Sequence, residues 1–172
     1  MILFNFQYEK AQSLAEAAGL LAGLGPNARL MAGGTDLLPN MRVAVTRPAA
    51  VIGLGGIAPA APQVAADGSL RLDALTRLSA LAESALVRER WPMLTEAALA
   101  VGSQQIREMG TLGGNLCQET RCLYFNQKHD FQFVEPCYKR EGACFYPFPQ
   151  NKPDVCWSVH MSDVAPALIA LG

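Results

Sequence analysis

The chain has 172 residues, 51% of them hydrophobic, and a formal net charge of −1. This length fits one domain, or one domain and part of a second, with enough apolar material for a packed core. The charge balance, without any block of like charges, argues against a nucleic-acid surface or an anionic membrane partner. No apolar run reaches a membrane span of roughly 18 residues, and residues 1–6 lack signal-peptide features, so we expect a cytoplasmic protein.

Hydrophobic periodicity and turn residues predict alternating strands and helices. Strands are predicted at residues 1–6, 29–32, 50–54 and 70–72. Helices are predicted at residues 11–24, from near Ser79, from Pro92, and at 162–172. Residues 58–67 are rich in alanine and proline and predict a surface loop. This order indicates an α+β or α/β fold without an internal repeat.

A glycine turn follows the strand predicted at residues 29–32. Gly33 and Gly34 are followed by the hydroxyl of Thr35 and the carboxylate of Asp36. A tight turn of this kind exposes backbone N–H groups, and such a concavity, called a nest, can bind phosphate oxygens. The same residues also fit an ordinary strand-to-helix turn in which Thr35 or Asp36 caps the helix.

A second glycine turn lies at residues 110–115, with the sequence Gly-Thr-Leu-Gly-Gly-Asn. A dinucleotide carries a pyrophosphate and two flat rings, so two such turns fit it better than one. Neither turn matches the Rossmann fingerprint or the P-loop, which disfavours both of those sites. The alternative is that these glycines are structural and belong to a bulge or hairpin.

All five cysteines lie between residues 117 and 156, in a segment with many aromatic residues and prolines. A long irregular loop inside a compact domain is ordered only if some interaction holds it, and several thiolates bound to one metal centre would do so. Stable disulfides are rare in the cytosol. Zinc sites usually contain Cys-x-x-Cys pairs, which are absent here, whereas iron–sulfur clusters tolerate wider spacings. Free buried thiols remain the alternative, and His129 and His160 are either substitute ligands or ordinary histidines.

Together, residues 32–39, Arg107 ahead of residues 110–115, and residues 162–168 resemble the FAD-binding subunits of molybdenum hydroxylases, the xanthine dehydrogenase family. The resemblance implies an α+β fold of the vanillyl-alcohol-oxidase (PCMH) type with two FAD-binding parts, at residues 1–57 and 58–172. It implies that the first turn holds the pyrophosphate, the second lies near flavin and pyrophosphate, and Asp163 meets the ribityl chain. The implied FAD-binding residues are Ala32, Gly33, Gly34, Thr35, Asp36, Leu37, Thr111, Gly113, Gly114, Asn115 and Asp163.

The interval between the second turn and Ser162-Asp163 is longer than in most of that family. In this respect the chain resembles the flavin (β) subunit of 4-hydroxybenzoyl-CoA reductase, whose inserted loop carries a [4Fe–4S] cluster. The corresponding insert here is residues 117–157. The cluster ligands that the resemblance implies are Cys122, Cys137, Cys144 and Cys156, with Cys117 outside the pattern.

The implied function is an oxidoreductase subunit that transfers electrons and has no catalytic residues of its own. It would connect a ferredoxin-like donor, the [4Fe–4S] cluster, FAD, and the [2Fe–2S] and molybdenum cofactor centres of a small and a large partner subunit. The expected assembly is a heterotrimer that dimerises, and the chain itself is expected to be a fragment or to be completed by a partner. The alternatives are a zinc-stabilised four-cysteine scaffold, the FAD subunit of another aromatic or purine hydroxylase, and a self-contained flavin oxidase.

Overall fold

The computed structural model describes residues 3–126, 137, 156 and 158–172. Its strands are β1 (Gln7–Lys10), β2 (Ala28–Met31), β3 (Ala50–Gly53), β4 (Gln63–Val64) and β5 (Leu70–Arg71). Its helices are α1 (Leu14–Leu24), α2 (Leu37–Arg42), α3 (Leu78–Glu83), α4 (Ala85–Arg90), α5 (Pro92–Ala100), α6 (Gln104–Met109), α7 (Leu112–Leu116) and α8 (Ala165–Leu171). The described helices include none that is long and apolar enough to cross a membrane.

A small parallel sheet forms the first part of the fold, with β3 between β1 and β2. All four residues of β3 are buried, as expected for a central parallel strand with an apolar sequence. Helix α1 packs on the sheet around Ala17, and Ser13 caps it by accepting a hydrogen bond from the Glu16 N–H. Gly25, with φ of 74°, ends the helix. This sheet and helix carry the first glycine turn at the end of β2.

A separate apolar cluster, formed mainly by α3, α4 and α5, lies in the second part of the fold. Its buried members are Leu78, Leu81, Ala82, Val87, Leu94, Ala98, Val101, Leu112 and Val164. Leu112 and Val164 bring the second glycine turn and the start of α8 into this cluster. The cluster around the sheet uses residues between Ala11 and Leu54, and the cluster around the helices uses residues between Leu70 and Leu168. Each core therefore comes from its own stretch of the chain. The division into two FAD-binding parts at residues 57 and 58 stays a prediction.

The structure corrects several predicted boundaries. Residues 3–6 are not a strand; the first strand is Gln7–Lys10, because these residues pair in register with β3, whereas the rings of Phe4 and Phe6 contact each other edge to face. The loop predicted at residues 58–67 contains β4, which pairs with β5. In the turn between them, hydrogen bonds from the Ser69 hydroxyl and N–H hold the pKa of Asp67 below its usual range. The second glycine turn contains the short helix α7.

Candidate functional site

The first glycine turn presents unused backbone donors. Within the described residues, the N–H groups of residues 33–36 make no hydrogen bond. Gly34 has φ of 72°, a left-handed conformation that glycine adopts without strain. A buried N–H group normally has a partner, so successive free N–H groups beside a cavity are suited to the oxygens of an anion. This geometry fits a nest for a pyrophosphate.

Two cavities that share Ala32, Gly33 and Thr111 lie next to this turn. The smaller, of about 120 Å³, covers the turn itself and is also lined by Leu37, Gly114 and Cys117. The larger, of about 670 Å³, lies between the first turn and residues 54–62 and 75–77. Its volume falls within the range of about 300–1,000 Å³ that is usual for cofactor sites. An elongated ligand with an anionic centre therefore fits these residues.

The second glycine turn uses its backbone donors inside the protein. The N–H groups of Leu112 and Gly113 donate to the carbonyls of Thr76 and Ala74, both at 2.8 Å. The Gly114 N–H donates to the Thr111 hydroxyl at 3.1 Å, which caps α7. This turn is therefore not a nest. Only Thr111 and Gly114 of its predicted ligands line the cavities described here, and they face the first turn across the smaller one.

Asn115, predicted to bind the cofactor, is buried and holds the start of α8. Its Oδ1 accepts hydrogen bonds from the Ser162 hydroxyl at 2.7 Å and from the Val164 N–H at 3.3 Å. Its Nδ2 donates to Asp163 Oδ2 at 3.5 Å. The Ser162 hydroxyl in turn accepts from the N–H of Ala165, the first residue of α8, at 3.0 Å. Asp163 is exposed and lines neither of the two cavities, so its predicted contact with a ribityl chain stays a prediction.

Asp36 occupies the N-cap position of α2, but its side chain makes no capping hydrogen bond. The carboxylate instead lies 2.7 Å from the Arg121 guanidinium and accepts hydrogen bonds from the Glu119 N–H and from Asn40 Nδ2. Sequence patterns gave no signal for these partners, because Glu119 and Arg121 are more than 80 positions away. Arg107, part of the motif before the second turn, donates to the carbonyls of Val101 and Gly102 and stabilises that loop.

Two of the predicted cluster ligands share a third cavity, of about 370 Å³. Cys122 and Cys156 line it together with Phe125, His160 and the chain between residues 118 and 120. The Thr120 and Ser158 hydroxyls, and the Gln118 amide and the Met161 carbonyl, hydrogen-bond across the two segments that carry these cysteines. The shared cavity is consistent with a common ligand for the two thiols.

Cys137 is 3% exposed, and its N–H donates to the Tyr124 carbonyl at 3.1 Å, which fixes it beside the turn that follows Cys122. Cys144 and His129 lie outside the described residues. Within the described part of the chain, no three His, Cys, Asp or Glu side chains are arranged to hold a metal ion. The described donor set is therefore partial, and it does not by itself define a cluster site. His160 accepts a hydrogen bond from the Ser162 N–H at Nδ1.

The sequence matches the family described as "FAD binding domain in molybdopterin dehydrogenase" over residues 4–172. It is 36% identical to the aldehyde oxidoreductase FAD-binding subunit PaoB of Escherichia coli K12, over 95% of this chain and 52% of the relative. It is 37% identical to the carbon monoxide dehydrogenase medium chain of Hydrogenophaga pseudoflava, over 67% of this chain and 40% of that one. The chain thus spans about half the length, or less, of these curated relatives.

A solved structure of carbon monoxide dehydrogenase from Hydrogenophaga pseudoflava superimposes with a TM-score of 0.61 at 34% identity, over 67% of this chain and 40% of that one. The described helices and strands, including the parallel sheet, are those of an α+β fold of the PCMH type. The nest and its adjoining cavities lie in the region that the family match covers. The chain belongs to the family of FAD-binding domains found in molybdopterin dehydrogenases.

Proposed function

We propose that this chain is the flavin-binding part of an electron-transfer subunit in a molybdenum-containing oxidoreductase. The observation that carries the proposal is the set of N–H groups at residues 33–36, which have no partner among the described residues and line the smaller cavity in a chain of an FAD-binding family. The first turn would hold the pyrophosphate, with Thr111 and Gly114 on its other side. Ala32 and Leu37, which are also predicted ligands, line the same cavity.

The larger cavity would receive one end of the dinucleotide. Its lining is mostly alanine, proline and glycine with Leu54, Ile57 and Met109, and such walls exclude water from a flat ring. FAD, when bound, supplies the exchange between two-electron and one-electron chemistry. The residues of this chain bind and orient it, and the proposed function needs no acid or base from them.

We further propose that Cys122, Cys137, Cys144 and Cys156 ligate a [4Fe–4S] cluster. The shared cavity of Cys122 and Cys156, and the hydrogen bond that fixes Cys137 beside the same turn, support this assignment. Thiolates from a loop of this kind, with aromatic neighbours such as Phe125, are the usual protein environment of such clusters. Zinc on the same thiolates is the competing assignment and predicts a colourless centre.

The reaction of the whole enzyme is proposed from the relatives. A match over 95% of the chain must include the cysteine segment, and that match is to an aldehyde oxidoreductase subunit. The match to the carbon monoxide dehydrogenase medium chain extends over 117 residues. We therefore favour aldehyde oxidation over the 4-hydroxybenzoyl-CoA reductase activity that the family resemblance implied. The proposed partners are a molybdenum cofactor large subunit, a [2Fe–2S] small subunit and a ferredoxin-like electron carrier in the cytoplasm.

The test is an anaerobic absorption spectrum of the complete subunit with flavin, iron, sulfide and zinc analysis on one sample. Bound FAD with about four irons per chain is expected for one [4Fe–4S] centre. Cys122→Ser should remove most of the iron and leave the flavin, whereas Cys117→Ser, the matched control outside the predicted ligand set, should retain the iron. Flavin without iron would refute the cluster, and zinc without flavin would leave only a scaffold. Turnover of an aldehyde, but not of a hydroxybenzoyl thioester, by the complex with its partners would support the preferred reaction.

A further inference from the structure

Asp36 joins the first glycine turn to the segment that enters the cysteine cavity. Its Oδ1 lies 2.7 Å from Arg121 Nη2, and its Oδ2 accepts from the Glu119 N–H at 3.1 Å. Asn40, which is 4% exposed, donates to the same Oδ2 and accepts from Arg121 Nη1 at 3.3 Å. We call these four residues the Asp36 clasp. Because the contacts come from both parts of the fold, the clasp fixes one against the other.

The chemistry of the clasp argues against Asp36 as a direct flavin ligand. Its carboxylate belongs to the last residue of the nest at residues 33–36, where an anionic pyrophosphate would be repelled by a second negative charge. Arg121 forms an ion pair with that carboxylate at Oδ1, which accepts no hydrogen bond within the described residues, and Glu119 and Asn40 both donate to its Oδ2. The pyrophosphate therefore meets a turn whose nearest carboxylate is paired.

The other end of the clasp is next to a predicted cluster ligand. Arg121 immediately precedes Cys122, and Glu119 and Thr120 line the same cavity as that cysteine. The Thr120 hydroxyl accepts a hydrogen bond from the Cys122 N–H at 3.2 Å. The first turn and Cys122 are thus connected by the ion pair of Asp36 and Arg121 and by the hydrogen bond from the Glu119 N–H.

We propose that Asp36 and Arg121 are positioning residues that couple occupancy of the flavin site to the order of residues 118–122 at the cysteine cavity. The inference rests on the proposed flavin site. FAD in the nest orders the first turn, which holds Asp36 in place, and Asp36 then holds the Glu119 N–H and the Arg121 side chain. Loss of either charge removes the coupling between the flavin site and residues 118–122.

The test is hydrogen–deuterium exchange of a peptide covering residues 118–122, in the complete subunit with its natural partners, with FAD removed and then restored. The Glu119 amide donates directly to Asp36, so this readout needs no iron. FAD should slow its exchange about tenfold in the natural protein, which corresponds to a free-energy difference of about 1.4 kcal/mol. Arg121→Gln should abolish this protection, and Arg121→Lys should restore part of it. The matched control is Arg88→Gln on α4, an exposed arginine, which should behave as the natural protein.

The dissociation constant of FAD, measured by flavin fluorescence, provides the second readout. Arg121→Gln should raise it about fivefold to tenfold, in the range of one charge-assisted interaction. If the two residues act as a pair, Asp36→Asn combined with Arg121→Gln will bind FAD no more weakly than Arg121→Gln alone.

A double variant that binds much more weakly would make Asp36 a direct ligand and overturn the inference. So would FAD binding without any change in exchange at residues 118–122, or an Arg121→Gln variant that matches Arg88→Gln. A natural protein that does not bind FAD would instead refute the flavin site itself, and the coupling with it.

Discussion

In the first glycine turn, the N–H groups of residues 33–36 have no partner within the described structure, whereas in the second the N–H groups of residues 112–115 all donate inside the protein. Both turns contain two adjacent glycines and a threonine, and both contribute to the same small cavity. The first therefore offers its backbone to a ligand. The N–H groups of the second donate to the loop at residues 74–76 and to Thr111, and this turn contributes only Thr111 and Gly114 to the cavity.

The glycines of the two turns also serve different contacts. Gly33 lies so close to the Met109 carbonyl that any side chain would overlap it, so the two turns are packed backbone to backbone. Gly113 packs instead on Ala74, where an added Cβ would lie 2.9 Å from the alanine methyl group. A paired glycine therefore marks a close approach of the backbone. Whether the approaching group is a ligand or another part of the chain depends on the tertiary structure.

The largest effect is expected from Gly33→Ala, because the new Cβ would overlap the backbone of Met109 and force the two turns apart. We expect a loss of about 3 kcal/mol in the free energy of unfolding, as for severe overpacking. Urea denaturation of the purified subunit provides the measurement. Gly19→Ala, in the exposed middle of α1, where the new Cβ would meet no described atom within 4 Å beyond the backbone of the helix itself, should stabilise by about 0.5–1 kcal/mol. Equal stability of the two variants would show that the turns are not packed together.

A smaller effect is expected from Asn115→Ala in the second turn. The change removes the acceptor of the buried Val164 N–H and of the Ser162 hydroxyl, which should cost about 2 kcal/mol. Asn27→Ala, at an exposed position after α1, is the control and should change little. If the second turn is structural at this residue, the folded variant will keep nearly the natural affinity for FAD. A large loss of FAD affinity without a loss of stability would return Asn115 to the list of direct ligands.

The sequence predicted β2, β3, β5, α1, α3 and α5 because they follow from local periodicity and from turn residues, but it missed β4, α6 and α7. Gly25-Pro26 ends α1, and Pro92 begins α5, as predicted. The first strand was placed too early because an apolar run at residues 1–6 does not reveal which residues will pair with β3. Strand boundaries depend on a partner that lies 43 positions away in the pair of Gln7 and Ala50.

The candidate site was predictable only in part, for the same reason. The local glycine motif predicted exposed N–H groups in the first turn, and in the structure the N–H groups of residues 33–36 have no partner among the described residues. The clasp between Asp36 and Arg121 had no local signal, since a carboxylate after two glycines is equally suited to a helix cap. The family resemblance placed Asn115 and Asp163 at the cofactor, but it carried no information on their hydrogen bonds to each other and to Ser162.

The smallest effect on stability, and the sharpest test of the difference between the turns, is expected from Gly34→Ala. Gly34 and Gly68 have φ of 72° and 85°, so alanine at either position should cost about 1–2 kcal/mol of backbone strain. Gly68, in the turn between β4 and β5, is the control for the backbone strain, since its new Cβ would meet no described atom within 4 Å, whereas the new Cβ at Gly34 would also lie 3.0 Å from Leu38 Cδ1. Only Gly34→Ala redirects the free N–H groups of the nest, so only this variant should raise the dissociation constant of FAD, by about tenfold. If fluorescence titrations give both variants the same affinity, the pyrophosphate is not held by the first turn, and the structural difference between the two turns has no functional consequence.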